Sequence, residues 1–134
     1  YEYEGMEQMV LDILDEYSMR DKVIISTFNH LSALRMKKLA PNIRCGLLEE
    51  SWLIDPAGYV EKAGVECYHP WYCSMLEEMF VVALHARGIE INVWTVNTEE
   101  TMLQMLEAGV DGVITNFPDV FCKVRENFRN IERK

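Results

Sequence analysis

Five short apolar segments recur along the chain at nearly constant spacing, and this recurrence limits the possible folds more than any other feature. The segments are predicted strands that start at residues 22, 43, 65, 90 and 112, and a helical pattern separates each from the next. Strands that alternate with helices in this way predict a parallel sheet built from right-handed βαβ units. No linker, low-complexity run or change in composition interrupts the pattern, so residues 1–134 are predicted to form one domain.

Capping signals and apolar periodicity set the predicted boundaries of these elements. The predicted strands cover about 22–27, 43–48, 65–68, 90–96 and 112–115, and the predicted helices about 6–17, 30–39, 56–62, 74–87, 98–108 and 118–130. Asp55 followed by Pro56 predicts a helix start, and Asn97 with Glu100 resembles a capping box. The apolar residues at helical spacing in the first helix are Met6, Met9, Val10, Ile13, Leu14 and Tyr17. The predicted inward-facing residues of the second helix are Leu31, Leu34 and Leu39.

The length of the chain leaves two architectures open. One is an open sheet with helices on both faces, and the other is part of a (β/α)₈ barrel. A complete barrel needs about 250 residues, so a chain of 134 residues cannot form one. The local pattern alone favours the open sheet.

Alternation along each strand predicts which side chains face the sheet surface away from the helices. In the fourth strand, Ile91, Val93 and Thr95 are β-branched and suit packing against helices, which leaves Asn92, Trp94 and Val96 on the opposite face. The same sorting assigns further residues to that face, at the carboxyl ends of the strands: Ser26, Phe28, His69, Trp94 and Asn116.

Each of these residues also has a purely structural interpretation. Trp94 is either a pocket wall or a filler of the barrel centre, and Phe28 is either a wall or a hydrophobic plug. Asn116 lies just before a predicted helix that it could cap. His69 is a candidate for acid–base chemistry, but no acidic residue is adjacent to orient it, which favours a hydrogen-bonded structural histidine.

Acidic residues follow the second strand and are candidates for holding Mg²⁺ or Ca²⁺ through hard oxygen ligands. They are Glu49, Glu50 and Asp55. Adjacent carboxylates on a strand point to opposite faces, so at most one of Glu49 and Glu50 faces inward. A solvated acidic loop is therefore the preferred interpretation.

Composition excludes several classes of protein. The net charge of −9 disfavours nucleic-acid binding, and no apolar run approaches the roughly 20 residues that span a bilayer. The chain has four cysteines without a CxxC pair: Cys45, Cys67, Cys73 and Cys122. Their spacing fits neither a zinc site nor a disulfide scaffold, so we expect reduced thiols and a cytoplasmic protein.

Three segments together resemble the glycerophosphodiester phosphodiesterase family. They are Ile25-Ser-Thr-Phe-Asn29, Tyr68-His-Pro70, and the stretch 93–119 with its Val-Trp-Thr-Val-Asn start and Val-Asp-Gly-Val-Ile-Thr-Asn-Phe-Pro-Asp end. The resemblance implies that the five units are the carboxyl-terminal part of that family's (β/α)₈ barrel, a partial TIM barrel. It therefore favours the barrel over the open sheet.

Members of this family hydrolyse glycerophosphodiesters to glycerol 3-phosphate and an alcohol. The resemblance implies two catalytic histidines and a divalent cation, Mg²⁺ or Ca²⁺, held by acidic residues, all in motifs that this sequence lacks. We therefore expect a fragment that is inactive alone, has no catalytic or metal-ligand residue, and binds no cation by itself. The substrate-side positions that the resemblance implies are Phe28, Trp94, His69 and Asn116.

The expected partners follow from the same resemblance. They are a glycerophosphodiester substrate in the complete domain, and either a second copy of the chain or the missing amino-terminal barrel segment. A partial barrel that serves as a non-catalytic binding or assembly module is the alternative, since its unpaired edges invite association. A flavodoxin-like protein is disfavoured because Thr27-Phe28-Asn29 replaces a glycine-rich phosphate loop.

Overall fold

The structure is a computed structural model that describes residues 3–132. This range contains five parallel strands in one sheet: β1 (Ile24–Thr27), β2 (Arg44–Glu49), β3 (Cys67–Pro70), β4 (Glu90–Val93) and β5 (Gly112–Val113). It also contains six α-helices: α1 (Met6–Glu16), α2 (His30–Leu39), α3 (Pro56–Ala63), α4 (Glu78–His85), α5 (Glu99–Ala108) and α6 (Pro118–Glu132). No helix in this range is long and apolar enough to cross a membrane.

The order of the strands distinguishes the two candidate architectures. The sheet runs β1-β2-β3-β4-β5, so each strand pairs in parallel with the next one along the chain. Doubly wound sheets reverse their strand order at a switch point, which places helices on both faces. A consecutive order with right-handed crossovers places all helices on one face, as in a barrel. The predicted parallel sheet and partial barrel are confirmed, and the open sheet and flavodoxin-like alternatives are wrong.

The hydrophobic core lies between the sheet and the helices. The strand residues on this side are almost fully buried: Cys45, Leu47, Tyr68, Ile91 and Val93. They pack with buried helix residues, including Ala33, Met36, Val60, Leu84 and Met105. The other surface of the sheet, which we call the inner face, carries the polar and aromatic residues described below.

Two helices bury a side that differs in part from the predicted one. In α1, Met9 and Ile13 are exposed, as is Tyr17 just after the helix, whereas Glu7 and Leu11 are buried. Val10 and Leu14 pack against the core, as predicted, and Glu7 accepts hydrogen bonds from two side chains of α2. In α2 the predicted inward residues Leu31 and Leu39 are exposed, since Ala33 and Met36 pack against the sheet instead.

Several predicted boundaries also need correction. Strand β4 ends at Val93, so the alternation stops there, and Val96 is buried in the helix-side core rather than on the inner face. The predicted helix 74–87 is a 3₁₀ turn at Tyr72–Met75 followed by α4. Helix α5 is capped by Thr98, whose side chain accepts from the Thr101 N–H, and not by Asn97.

Candidate functional site

His69 lies at the centre of the inner face. It belongs to β3, is 4% exposed, and its Nδ1 is 2.7 Å from the Ser26 hydroxyl of β1. Its Nε2 is 3.2 Å from the Asn92 amide nitrogen of β4. Burial lowers the pKa of His69, with Glu90 opposing and Arg44 adding to that effect, so the ring is neutral at neutral pH. The ring is therefore hydrogen-bonded and buried, and the role of His69 in substrate binding stays a prediction.

Two glycines make room for these side chains. A Cβ at Gly46 of β2 would lie 2.5 Å from two atoms of the His69 ring. A Cβ at Gly112 of β5 would overlap the Asn92 amide oxygen. Strands β2 and β5 therefore have no side chain at Gly46 and Gly112, and the side chains of His69 and Asn92 occupy that space on the inner face. Both close approaches join residues that are distant in sequence, so local patterns do not indicate the roles of Gly46 and Gly112.

Phe28 and Trp94 meet at the carboxyl ends of the strands. Their ring centroids are 5.4 Å apart with an interplanar angle of 88°, which is an edge-to-face contact. The Trp94 indole N–H donates to the His69 carbonyl oxygen at 2.7 Å, and this bond holds the indole against the backbone of β3. Phe28 remains 60% exposed. The structure thus brings the two predicted pocket walls together, although their contact with a substrate stays a prediction.

Asn116 lies apart from this group, in the loop after β5. Its backbone N–H donates to the Asn97 side-chain oxygen at 3.0 Å, and Thr115 donates to the same atom. Helix α6 begins at Pro118, so Phe117 and not Asn116 directly precedes it. Within residues 3–132, the Asn116 side chain shares no hydrogen bond with Phe28, His69 or Trp94. Its binding role is a prediction that rests on the resemblance alone.

His30 makes contacts that no sequence pattern indicated. It begins α2, as predicted, but its Nε2 also lies 2.8 Å from the Leu48 carbonyl oxygen and its Nδ1 2.7 Å from the Tyr59 hydroxyl. A carbonyl only accepts, so Nε2 carries the proton and Nδ1 accepts from Tyr59 when the ring is neutral. His30 therefore connects α2 to the end of β2 and to α3. Both partners are distant in sequence, so no local pattern could have revealed them.

The acidic residues near the end of β2 are engaged by the backbone. One Glu49 oxygen accepts the N–H groups of Glu50 and Ser51 at 3.0 and 2.8 Å. Burial works to raise the pKa of Glu49, but hydrogen bonds from Ser51 and Glu50 outweigh it and hold the pKa below its usual value. Asp55 caps α3 by accepting the Gly58 N–H at 2.9 Å.

The positions of these carboxylates bear on whether they could hold a cation. In the part of the chain that the structure describes, no three His, Cys, Asp or Glu side chains come together as metal ligands. The divalent cation that the resemblance implies for the complete domain therefore does not fit the residues present here. Whether the chain alone binds a cation stays a prediction.

The sequence profile of the Glycerophosphoryl diester phosphodiesterase family matches residues 2–120. A glycerophosphodiester phosphodiesterase from Caldanaerobacter subterraneus subsp. tengcongensis is 36% identical over 122 residues, which cover 91% of this chain and 50% of that protein. One from Bacillus altitudinis is 34% identical over 131 residues, covering 96% of this chain and 53% of that protein.

Solved structures show the same fold. A glycerophosphodiester phosphodiesterase from Parabacteroides distasonis superposes with a TM-score of 0.82 at 18% identity, over 92% of this chain and 51% of that one. An Oleispira antarctica phosphodiesterase in complex with the product sn-glycerol-3-phosphate superposes with a TM-score of 0.80 at 22% identity, over 92% and 52%. The chain spans about half the length of these relatives. With its strand order and the match to residues 2–120, the chain belongs to the glycerophosphoryl diester phosphodiesterase family.

Proposed function

We propose that this chain is the substrate-pocket part of a metal-dependent phosphodiesterase that hydrolyses glycerophosphodiesters to glycerol 3-phosphate and an alcohol. The observation that carries the proposal is the inner face itself, on which the Phe28–Trp94 pair is hydrogen-bonded to the backbone of the buried His69. Aromatic rings beside a few polar groups are typical of sites that bind small organic molecules. The complex of the Oleispira antarctica protein with sn-glycerol-3-phosphate supports the same chemistry.

In this proposal the chain binds and orients the substrate but breaks no bond. The Phe28 and Trp94 rings offer apolar contact to the alcohol group of the diester, and the hydroxyl of Ser26 offers a hydrogen bond below them. The acid, the base and the cation ligands belong to motifs that this sequence lacks. The complete domain would supply them together with the cation that neutralises charge on the phosphate.

The test is turnover of glycerophosphocholine in the presence of Mg²⁺ or Ca²⁺. We expect none from the chain alone, because loss of acid–base catalysis by itself lowers rates about 10²–10⁴-fold. We expect turnover to appear when the amino-terminal half of the Caldanaerobacter subterraneus relative is added as a separate chain. In that mixture, Trp94→Ala should raise KM more than it lowers kcat. Turnover by the chain alone at the rate of whole enzymes would contradict the proposal.

A second candidate function is a partial barrel that acts as an assembly module. A cavity of about 220 Å³ lies between α5, β5 and α6, at the edge of the sheet where, within residues 3–132, β5 pairs only with β4. Its lining includes Val113, Phe121 and Phe128, together with Arg125. The Nε atom of Arg125 is buried and, among the described residues, has no hydrogen-bond partner. A segment with apolar side chains and a carboxylate would complete this edge, whether or not the assembly is catalytic.

A further inference from the structure

Five side chains on the inner face form one continuous series of hydrogen bonds. Arg44 donates to Glu90, whose other carboxylate oxygen lies 2.9 Å from the Asn92 amide nitrogen. The same nitrogen is 3.2 Å from Nε2 of His69, and Nδ1 of His69 is 2.7 Å from the Ser26 hydroxyl. The series therefore crosses the sheet from β2 to β1 through β4 and β3.

The carboxylate in this series fixes the direction of the bonds. Hydrogen bonds from Asn92 and Arg44 outweigh burial and hold the pKa of Glu90 below its usual value, so Glu90 is ionised and can only accept. The group that Asn92 presents to it must be the NH₂ donor, and the amide oxygen then points towards Gly112. The second N–H of the same NH₂ group is left to donate to His69 Nε2.

The tautomer of His69 follows from this direction. Because Nε2 accepts from Asn92, the proton of the neutral ring is on Nδ1, and Nδ1–H donates to the Ser26 oxygen. The Ser26 hydroxyl is then satisfied as an acceptor, and its own hydrogen is free to turn towards the inner face. Ser26 is exposed there, and Phe28 lies two residues further along the chain, just beyond the end of β1.

We propose that Ser26 donates its hydroxyl hydrogen to an anionic phosphate oxygen bound on the inner face, with His69, Asn92 and Glu90 as positioning residues. Every bond from Asn92 onwards donates towards Ser26, and successive donation strengthens the last donor in such a series. A strengthened donor favours a charged acceptor over a neutral one. The Phe28–Trp94 pair lies at the carboxyl ends of β1 and β4, two residues beyond Ser26 and Asn92 along the chain. The proposal rests on the proposed function only for the source of the phosphate, which would be the diester or its product.

The first experiment reads the tautomer in the full chain by long-range ¹H–¹⁵N NMR of labelled histidine. We expect His69 to carry its proton on Nδ1, and we expect Asn92→Leu, which removes the donor to Nε2, to shift the ring towards the Nε2–H form. His30 serves as an internal reference, because its Nε2 faces a carbonyl and must be protonated. A wild-type His69 protonated on Nε2 would overturn the proposed direction of the bonds.

The second experiment measures binding of glycerol 3-phosphate, inorganic phosphate and glycerol by NMR titration of the full chain. Ser26→Ala should weaken binding of the phosphate compounds about 10- to 100-fold, as expected for a lost hydrogen bond to a charged group. Ser26→Thr keeps the hydroxyl and should restore most of the affinity. Binding of inorganic phosphate alone would identify free phosphate as the source, and preference for glycerol 3-phosphate would identify the ester.

The binding result can also reject the proposal. Equal affinity of wild type and Ser26→Ala, loss of glycerol binding to the same extent, or no detectable binding by the wild-type chain would each overturn it. Neither experiment measures turnover. Their outcome is therefore separate from that of the proposed phosphodiesterase activity.

Discussion

Gly46 shows how a single missing side chain shapes the inner face. A Cβ at this position would lie 2.5 Å from the buried His69 ring, which hydrogen bonds hold on both sides. We expect Gly46→Ala to lower the free energy of unfolding by about 1–3 kcal/mol, as overpacking of buried sites does. Chemical denaturation would measure this loss. In a His69→Ala background the ring is gone, so the same substitution should cost much less, and an undiminished cost would contradict the explanation.

Glu7 is a buried carboxylate whose charge depends on α2. A hydrogen bond from Ser32, followed by one from Arg35, holds its pKa below the usual value of 4.5 although burial opposes this. A folded-state pKa below the unfolded value contributes stability that is complete above about pH 4.5 and is lost as the pH falls through the folded pKa.

The substitution Glu7→Gln tests this contribution. At neutral pH it should lower the free energy of unfolding by about 1–2 kcal/mol, since hydrogen bonds to charged groups are stronger than neutral ones. The difference from wild type should shrink in denaturation curves recorded below pH 4.5. Glu16→Gln, at an exposed position of the same helix, is the matched control and should leave stability nearly unchanged. A constant difference across this pH range would contradict the assigned charge.

At the scale of single elements, α3 depends on Asp55, the residue that caps its start. The Asp55 side chain accepts the Gly58 N–H at 2.9 Å, and Pro56 and Gly64 mark the two ends of the helix. We expect Asp55→Ala to destabilise the protein by about 0.5–2 kcal/mol, because a free N–H is left at the helix start. Asp55→Asn retains an acceptor and should cost little. Thermal unfolding of both variants would show equal losses only if the cap were unimportant.

Local signals explain which elements could be predicted from the sequence. The Asp55-Pro56 start and the Gly64 end of α3 involve neighbouring residues, and strand alternation correctly separated Ile91 and Val93 from Asn92. These features depend on backbone geometry within a few residues, so the local pattern of the sequence indicates them.

Contacts between distant residues explain what could not be predicted. Ser26 and His69 are 43 residues apart and Arg44 and Glu90 are 46 apart, so only the pairing of strands reveals them. The predicted buried side of α1 was wrong in part, because sequence spacing did not indicate that Glu7 is buried and bonds to α2. The site is thus formed by hydrogen bonds between side chains of different strands, and the spacing of hydrophobic residues in the sequence does not indicate them.

At the scale of the whole molecule, the free edge beside α6 predicts association. The cavity there contains the unpartnered Arg125 Nε described above and the apolar rings of Phe121 and Phe128. We expect concentration-dependent self-association in sedimentation velocity, or stable binding of the amino-terminal half of a relative. Arg125→Glu should weaken either by about tenfold or more, since it places a carboxylate where we expect the partner's own. Lys123→Glu, at an exposed position of α6, is the matched control.

A monomer that persists at high concentration and does not bind the amino-terminal half would contradict this prediction. Equal effects of Arg125→Glu and Lys123→Glu would show that the net charge of the protein, rather than the cavity at Arg125, governs association. Either result would also remove the support for an assembly module.

The place of β1 at one end of the strand order has a consequence for recognition. Ser26 lies on this outermost strand, which in residues 3–132 pairs only with β2. A segment that adds a further strand beside β1 would reduce the motion of Ser26. Ser26 would then lose less conformational entropy when a ligand binds. By thermodynamic reciprocity, an anion bound at Ser26 would in turn raise the affinity of β1 for the added strand. Completion of the cylinder and capture of the ligand would then be two halves of one cooperative equilibrium.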